Sequence, residues 1–238
     1  MPANNRAFRV TAIATSAQLG GAERVLLDVA ARAFEYDLSL RVITPRAGPL
    51  IGILSEIGVP AAVVPASEAA LGGLLGGMGW ARQLAAHPFW RDADVTYTVA
   101  LRAHLAVAAR RKHPVVWHLH DMPPEWRGTI WRAMAKTIPD AMIANSEATA
   151  DAWGKQEAGS EKITVVPNGV DLDRFRPRLR TGWIHERLGI PRDRRLIGMP
   201  AVFARWKGQM EVIEAFSRLR DQFPGVHLVF VGGSIYET

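Results

Sequence analysis

The feature that most constrains this chain is a regular exchange between two hydrophobic periods. Short apolar, β-branched runs alternate with longer stretches whose apolar residues recur every three or four positions. The run from Phe8 to Thr15 reads as a buried strand, and residues 20–34 then place Val25, Leu26, Val29, Ala30 and Ala33 on one helical face. The same pairing recurs. Strands are predicted at 38–45, 60–65, 94–99, 114–120, 140–146 and 162–167, with helices at 49–58, 80–87, 101–112, 124–138 and 147–157. After a break the rhythm resumes with a strand at 195–200, a helix at 207–223 and a strand at 226–233. Parallel strands need crossover connections, and strands covered on both faces show continuous apolar runs. The pattern therefore predicts an α/β architecture of parallel sheets with helices on both faces.

With 238 residues the chain can bury one large core or two smaller ones. It has no cysteine, which excludes disulfides and thiolate metal sites. The most apolar stretch, 61–80, contains Pro65, Glu68 and several glycines, so it reads as strand, loop and helix rather than a membrane span. The first ten residues lack the apolar core of a signal peptide. The expected location is the cytoplasm, with the inner face of a membrane as a further candidate.

The charge is uneven. From Arg174 to Lys207 there are ten Arg or Lys against two acids, Glu186 and Asp193. This basic piece begins just after "VVPNGVDLDRFRP", where Pro167, Asn168 and Gly169 stop a strand. A boundary is expected there: a Rossmann-like N-terminal domain over 1–170, a basic linker over 171–195, and a second, incomplete domain over 196–238. The basic stretch is read either as a solvated linker or as a neighbour of phosphate or anionic lipid. A nucleic-acid partner is not expected, because no aromatics interleave with the arginines at regular spacing.

Four places carry chemistry. Gly20 and Gly21 join the first strand to its helix. They serve either as a flexible turn or as a close approach of backbone N–H groups to a phosphate at a helix N-terminus. No G-x-G-x-x-G or Walker lysine accompanies them. His118, His120 and Asp121 end the strand over 114–120, with the two histidines on one face and Trp117 and Leu119 on the other. Histidines in that position can bond a substrate hydroxyl or exchange a proton, or can be purely structural. Arg205 and Lys207 precede a helix whose dipole disfavours them, a weak sign of a compensating anion. Asn145 and Ser146 follow a strand, and Ser146 suits a helix N-cap. No metal site is expected.

Taken in order, "GGAE", "HLHD", "ANSEAT", "VVPNGVDLDRF" and "WKGQMEVIEAF" resemble the retaining glycosyltransferases of family 4 over nearly the whole chain. The resemblance implies a GT-B fold, two Rossmann-like domains facing across a cleft. The N-terminal domain would hold mainly the acceptor, and the C-terminal domain a nucleotide sugar used as substrate, with no cofactor. It implies that Gly20 and Gly21 lie near the donor phosphates. His120 would lie near the transferred sugar, with His118 as the alternative, and Lys207 would bind the diphosphate. Asp121, Asn145 and Ser146 would stand on the acceptor side.

The implied activity is hexosyl transfer with retention to a glycan, lipid-linked or small-molecule acceptor. Two departures qualify it. The family's arginine five residues before the lysine is Val202 here, with Arg205 as its replacement. The family's later glutamate motif and returning helix do not follow "VGGSIYET". On that reading the chain is a fragment that binds nucleotide sugar weakly alone. The alternatives are a non-catalytic binding module, or one subunit of a split transferase whose partner chain covers the second domain. The stretch "PEWRGTIWRAMAK", which carries Trp126, Arg127, Trp131, Arg132 and Lys136, reads first as a half-buried amphipathic helix, with a peripheral membrane contact as the alternative.

Overall fold

The computed structural model describes residues 6–67, 71, 74–108, 112–124, 128–155, 160–177 and 181–234. They form two compact units, Met1–Gly169 and Val170–Thr238. The first unit contains β1 (Phe8–Ala14), α1 (Gly21–Arg32), β2 (Leu38–Thr44), α2 (Pro49–Glu56), β3 (Ala61–Val63), α3 (Leu74–Ala86), α4 (Pro88–Arg91), β4 (Val95–Val99), α5 (Leu101–Ala108), β5 (Val115–Leu119), α6 (Gly128–Thr137), β6 (Ala141–Ala144), α7 (Glu147–Ala152) and β7 (Ile163–Val165). Its seven strands are all parallel, in the order β3-β2-β1-β4-β5-β6-β7.

Period-two alternation divides the core between the two sheet faces. Ala12, Ala14, Leu40, Val42, Tyr97 and Val99 pack with Leu26 and Ala30 of α1 and Leu50 and Leu54 of α2. Ile13, Ile43, Trp117, Leu119, Met142 and Ala144 pack on the other side with Trp80, Leu84, Trp90, Ala103, Val107, Trp131 and Trp153. The chain changes faces after β3, so β1 and β4 become neighbours with their connections running in opposite directions. The carboxyl ends of such strands open a crevice, the usual ligand position in open α/β sheets. At the other end of the same strands Arg9 grips Asp94 through its backbone N–H (2.9 Å) and guanidinium (3.0 and 3.3 Å). That grip holds the Asp94 carboxyl below its ordinary pKa.

The residue after β4, Ala100, has φ 78°, the left-handed region where a Cβ is strained. It turns the chain directly from β4 into α5 at the crevice. Ala100→Gly is expected to raise stability by about 1 kcal/mol, read as a higher urea midpoint with an unchanged slope. A lower midpoint would show that the turn is not strained.

The second unit holds α8 (Trp183–Leu188), then β8 (Arg195–Pro200) paired in parallel with β9 (Val226–Val231) through α9 (Gln209–Leu219). A short helix, α8, thus lies inside the stretch expected to be plain linker. Its ends at Gly182 and Gly189 both adopt the left-handed conformation, which glycine takes at no steric cost. None of the described residues from 170 on is buried. The apolar runs of β8 and β9 suggest strands covered on both sides, but one helix on a two-stranded sheet covers too little surface to do so.

Two sequence expectations change here. α3 begins before residue 80, and a one-turn helix, α4, brings Trp90 into the core with its indole N–H on Thr96 Oγ1 (2.7 Å). Trp131 is also buried in the core, so its ring is not available to a membrane interface. Trp126 and Arg127 of the same motif lie outside the described residues, as do Arg110 and Arg111 of the helix predicted at 101–112. Among the described residues no helix is long and apolar enough to cross a membrane.

Candidate functional site

Three sheet exits bear the candidate residues of the first unit, those of β1, β5 and β6, with β4 lying between β1 and β5. The β1 exit is fixed by α2. Leu50 N–H donates to Ala17 O (3.0 Å), and a Cβ on Gly48 would stand 2.6 Å from that same oxygen, so only glycine admits the two loops to this distance. Gly20 then takes the N-cap position of α1 with no side-chain cap. A Cβ built on Gly21 meets nothing within 4 Å, so packing does not require a glycine there. What the glycine leaves is open space before the first turn of a twelve-residue helix, where the dipole favours an anion.

Glu23, three residues after the N-cap, is buried, and burial raises its pKa. The backbone N–H groups of Glu23 and Gly20 oppose that rise, and the charge of Asp121 adds to it. A glutamate at this spacing reaching back to the N-cap is a capping-box arrangement. The Asp121 charge is the smallest of these influences. In the sequence, the signal for Glu23 is an acid three residues after a helix start, within "GGAE".

At the β5 exit, His118 and His120 share a face, their ring centroids 4.0 Å apart. His118 is buried, and its Nδ1 pairs with the Tyr97 hydroxyl of β4. Burial and then the neighbouring His120 push His118 down to about 3, so it is neutral at neutral pH. Burial pushes the Tyr97 phenol up. Together Tyr97 and His118 border an apolar hollow of about 370 Å³ beside Val25, Val29 and Ile143. His120 is half-buried. Burial lowers its pKa, and Asp121 pulls the other way. Nε2 of each ring is buried without a hydrogen-bond partner.

At the β6 exit, Ser146 caps α7 by accepting from Thr149 N–H (3.1 Å). Asn145 Oδ1 accepts from the Thr149 hydroxyl (2.8 Å), and its Nδ2 donates to His120 O (3.4 Å). Gly20, Gly21, His118, His120, Asp121, Asn145 and Ser146 therefore share one end of one sheet.

Arg205 and Lys207 lie together in the second unit, on a short 3-10 turn leading into α9. Gly208, with φ 79°, converts that turn into the helix. Arg205 lines a hollow with Phe203, Gln209 and Phe230. Neither cation has an acidic partner among the described residues. Val202 contributes its carbonyl, which accepts from Gln209 Nε2 (2.7 Å). No group of three or more His, Asp or Glu gathers in a metal-binding arrangement among the described residues.

Comparison with known proteins follows the same outline. D-inositol 3-phosphate glycosyltransferase of Segniliparus rotundus is 25% identical over 192 residues, 78% of this chain and 42% of that protein. The enzyme of the same description from Xylanimonas cellulosilytica is 31% identical over 166 residues, 61% of this chain and 39% of that one. The chain thus spans about two fifths of the length of these curated relatives. Among solved structures, HepE of Anabaena in complex with UDP and glucose aligns with TM-score 0.77 at 22% identity, covering 96% of this chain and 62% of that one. A glycosyltransferase from Rickettsia africae aligns with TM-score 0.66 at 16% identity, covering 94% and 68%. These likenesses show a shared Rossmann-like GT-B fold. The family model of Glycosyltransferase Family 4 matches residues 19–174, from the glycine loop past the last strand of the first unit. The chain belongs to glycosyltransferase family 4.

Proposed function

We propose that the protein transfers a hexosyl group from a nucleotide sugar to an acceptor with retention of configuration. HepE is described with UDP and glucose and with UDP-glucose, and the inositol phosphate enzymes by a phosphorylated polyol. A UDP-hexose donor and a hydroxylated, anionic small-molecule acceptor are accordingly the reading carried to this chain. The observation that carries it is an uncrowded helix N-terminus at Gly20–Gly21 on the same end of the sheet as His120 and Asp121.

In this reading the Gly20–Gly21 loop faces the donor phosphates, and Lys207, helped by Arg205, holds the diphosphate. The bond between the sugar's anomeric carbon and the diphosphate breaks while a bond to the acceptor oxygen forms on the same face. The leaving phosphate oxygen takes the acceptor proton. Helix N–H groups and fixed cations stabilise the charge gained by the leaving group. His118 is engaged by Tyr97, which favours His120 as the ring beside the transferred sugar. Asp121 borders the acceptor, with Asn145 and Ser146 behind it. The first unit serves the acceptor, and the second begins the donor-binding half.

The test is release of UDP from UDP-glucose with D-inositol 3-phosphate as acceptor, with the product anomer read by proton NMR. Retention supports the proposal; inversion, or no turnover by the full-length protein with any UDP-hexose, defeats it. His120→Ala is expected to lower kcat about 100-fold through loss of a positioned hydrogen bond and proton contact.

A second reading, one chain of a split transferase, draws on the exposed apolar residues of the second unit, including Ile197, Phe203, Met210 and Ile213. Turnover that appears only on adding a second chain would establish it.

A further inference from the structure

Three successive carbonyls leave β5, and the following β–α unit holds each of them. Leu119 O accepts from the Asn145 backbone N–H (3.3 Å), which continues the sheet ladder. The other two are held by side chains. His120 O accepts from Asn145 Nδ2 (3.4 Å), and Asp121 O accepts from the Trp153 indole Nε1–H (2.8 Å).

Neither donor is free to turn. Ser146 Oγ donates to Thr149 Oγ1 (2.9 Å), so the Thr149 proton goes to Asn145 Oδ1 (2.8 Å). That fixes which end of the amide is oxygen and points its nitrogen at His120. Trp153 is only 3% exposed. Its ring meets Trp117 and Trp131 nearly edge-on, with centroids 6.1 and 6.0 Å away. Rotating the indole would break up that aromatic cluster, so the N–H carries the rigidity of the core out to the loop.

We infer that Trp153, supported by Asn145, is a positioning residue that locks the His120–Asp121 backbone and so fixes where the His120 ring stands. The inference rests on the reading of His120 as the ring beside the transferred sugar. A core tryptophan needs an acceptor for its N–H, but many carbonyls would serve. This one takes the carbonyl directly after His120, 32 residues away in sequence. Preorganised groups lose catalytic power when displaced by even an ångström, so the clamp supports catalysis without touching substrate.

The test separates the clamp from the chemistry. Trp153→Phe keeps a ring in the cluster and removes the N–H; Trp131→Phe perturbs the same cluster without touching the exit. Histidine-labelled full chain is titrated by NMR with no donor present. In Trp153→Phe the His120 midpoint moves upward, as its loop opens to water, while His104 stays neutral throughout. In Trp131→Phe the His120 midpoint stays at the wild-type value. In turnover, Trp153→Phe lowers kcat about tenfold at nearly unchanged donor KM. An unmoved His120 in Trp153→Phe, or an equal movement in Trp131→Phe, overturns the clamp. Movement of His120 with unchanged turnover upholds the clamp and removes His120 from the reaction.

Discussion

Lowering the pH from 7.5 to 5 is expected to strip about 4 kcal/mol from the stability of this protein. Two buried histidines supply the effect. His104 is 1% exposed, lies flat on Trp117 with ring centroids 4.6 Å apart, and bonds Thr98 Oγ1 through Nδ1 at 2.7 Å. Thr98 donates its own proton to Val116 O (3.2 Å), so it accepts from His104. Burial, followed by the neighbouring His120 and His118, pushes His104 down to about 3, the same level as His118.

Between that value and the unfolded histidine value of about 6.5, the unfolded chain holds a proton that the folded chain refuses. Stability therefore rises with pH across the window; it is complete above about 6.5 and is lost on descent. Each group costs about 2 kcal/mol at pH 5, and the pair removes a large part of a typical domain's 5–15 kcal/mol. Glu23, whose pKa burial raises, works in the opposite sense. Urea midpoints at the two pH values measure the loss, and His104→Gln is expected to halve it. Equal wild-type stability at pH 5 and 7.5 would refute the argument.

The second large effect belongs to Lys207. In the proposed transfer the diphosphate gains negative charge as the sugar leaves, and Lys207, which leads into the helix over Gln209–Leu219, meets it. Interactions that strengthen only in the transition state act on kcat rather than on ground-state binding. Lys207→Ala is expected to lower kcat by 10²- to 10³-fold, about 3–4 kcal/mol, with a much smaller rise in donor KM. Arg205→Ala shares the role and is expected to cost less, because Arg205 also lines a hollow with Phe203 and Phe230. Lys207→Arg keeps the charge and recovers part of the rate. A Lys207→Ala enzyme within threefold of wild type would remove the cation from the mechanism.

Much of the first unit was legible in the sequence because burial on both faces forces a local signature. β1, β2, β4 and β5 lie where the apolar runs place them, and the helices follow at the expected spacing. The alternation of Trp117, His118, Leu119 and His120 was readable for the same reason: a strand turns successive side chains to opposite faces. The Ser146 cap was readable because its partner, Thr149, is only three residues away. α4 was not visible, since one turn is too short to show a helical period. α8 was hidden by the charge around it; its glycine boundaries were the only local cue.

Sequence alone determined the α/β pattern, the parallel strands and which loops bear the candidate groups, because these depend on periodicity and on neighbours close in the chain. Only the tertiary structure decided how those groups are deployed. It bonded His118 to Tyr97, set Glu23 within reach of Asp121's charge, removed Trp131 from the surface and hung the exit of β5 on Trp153. Each of these contacts joins residues distant in sequence. Their energies come from desolvation and from geometry that exists only once the sheet has closed its core.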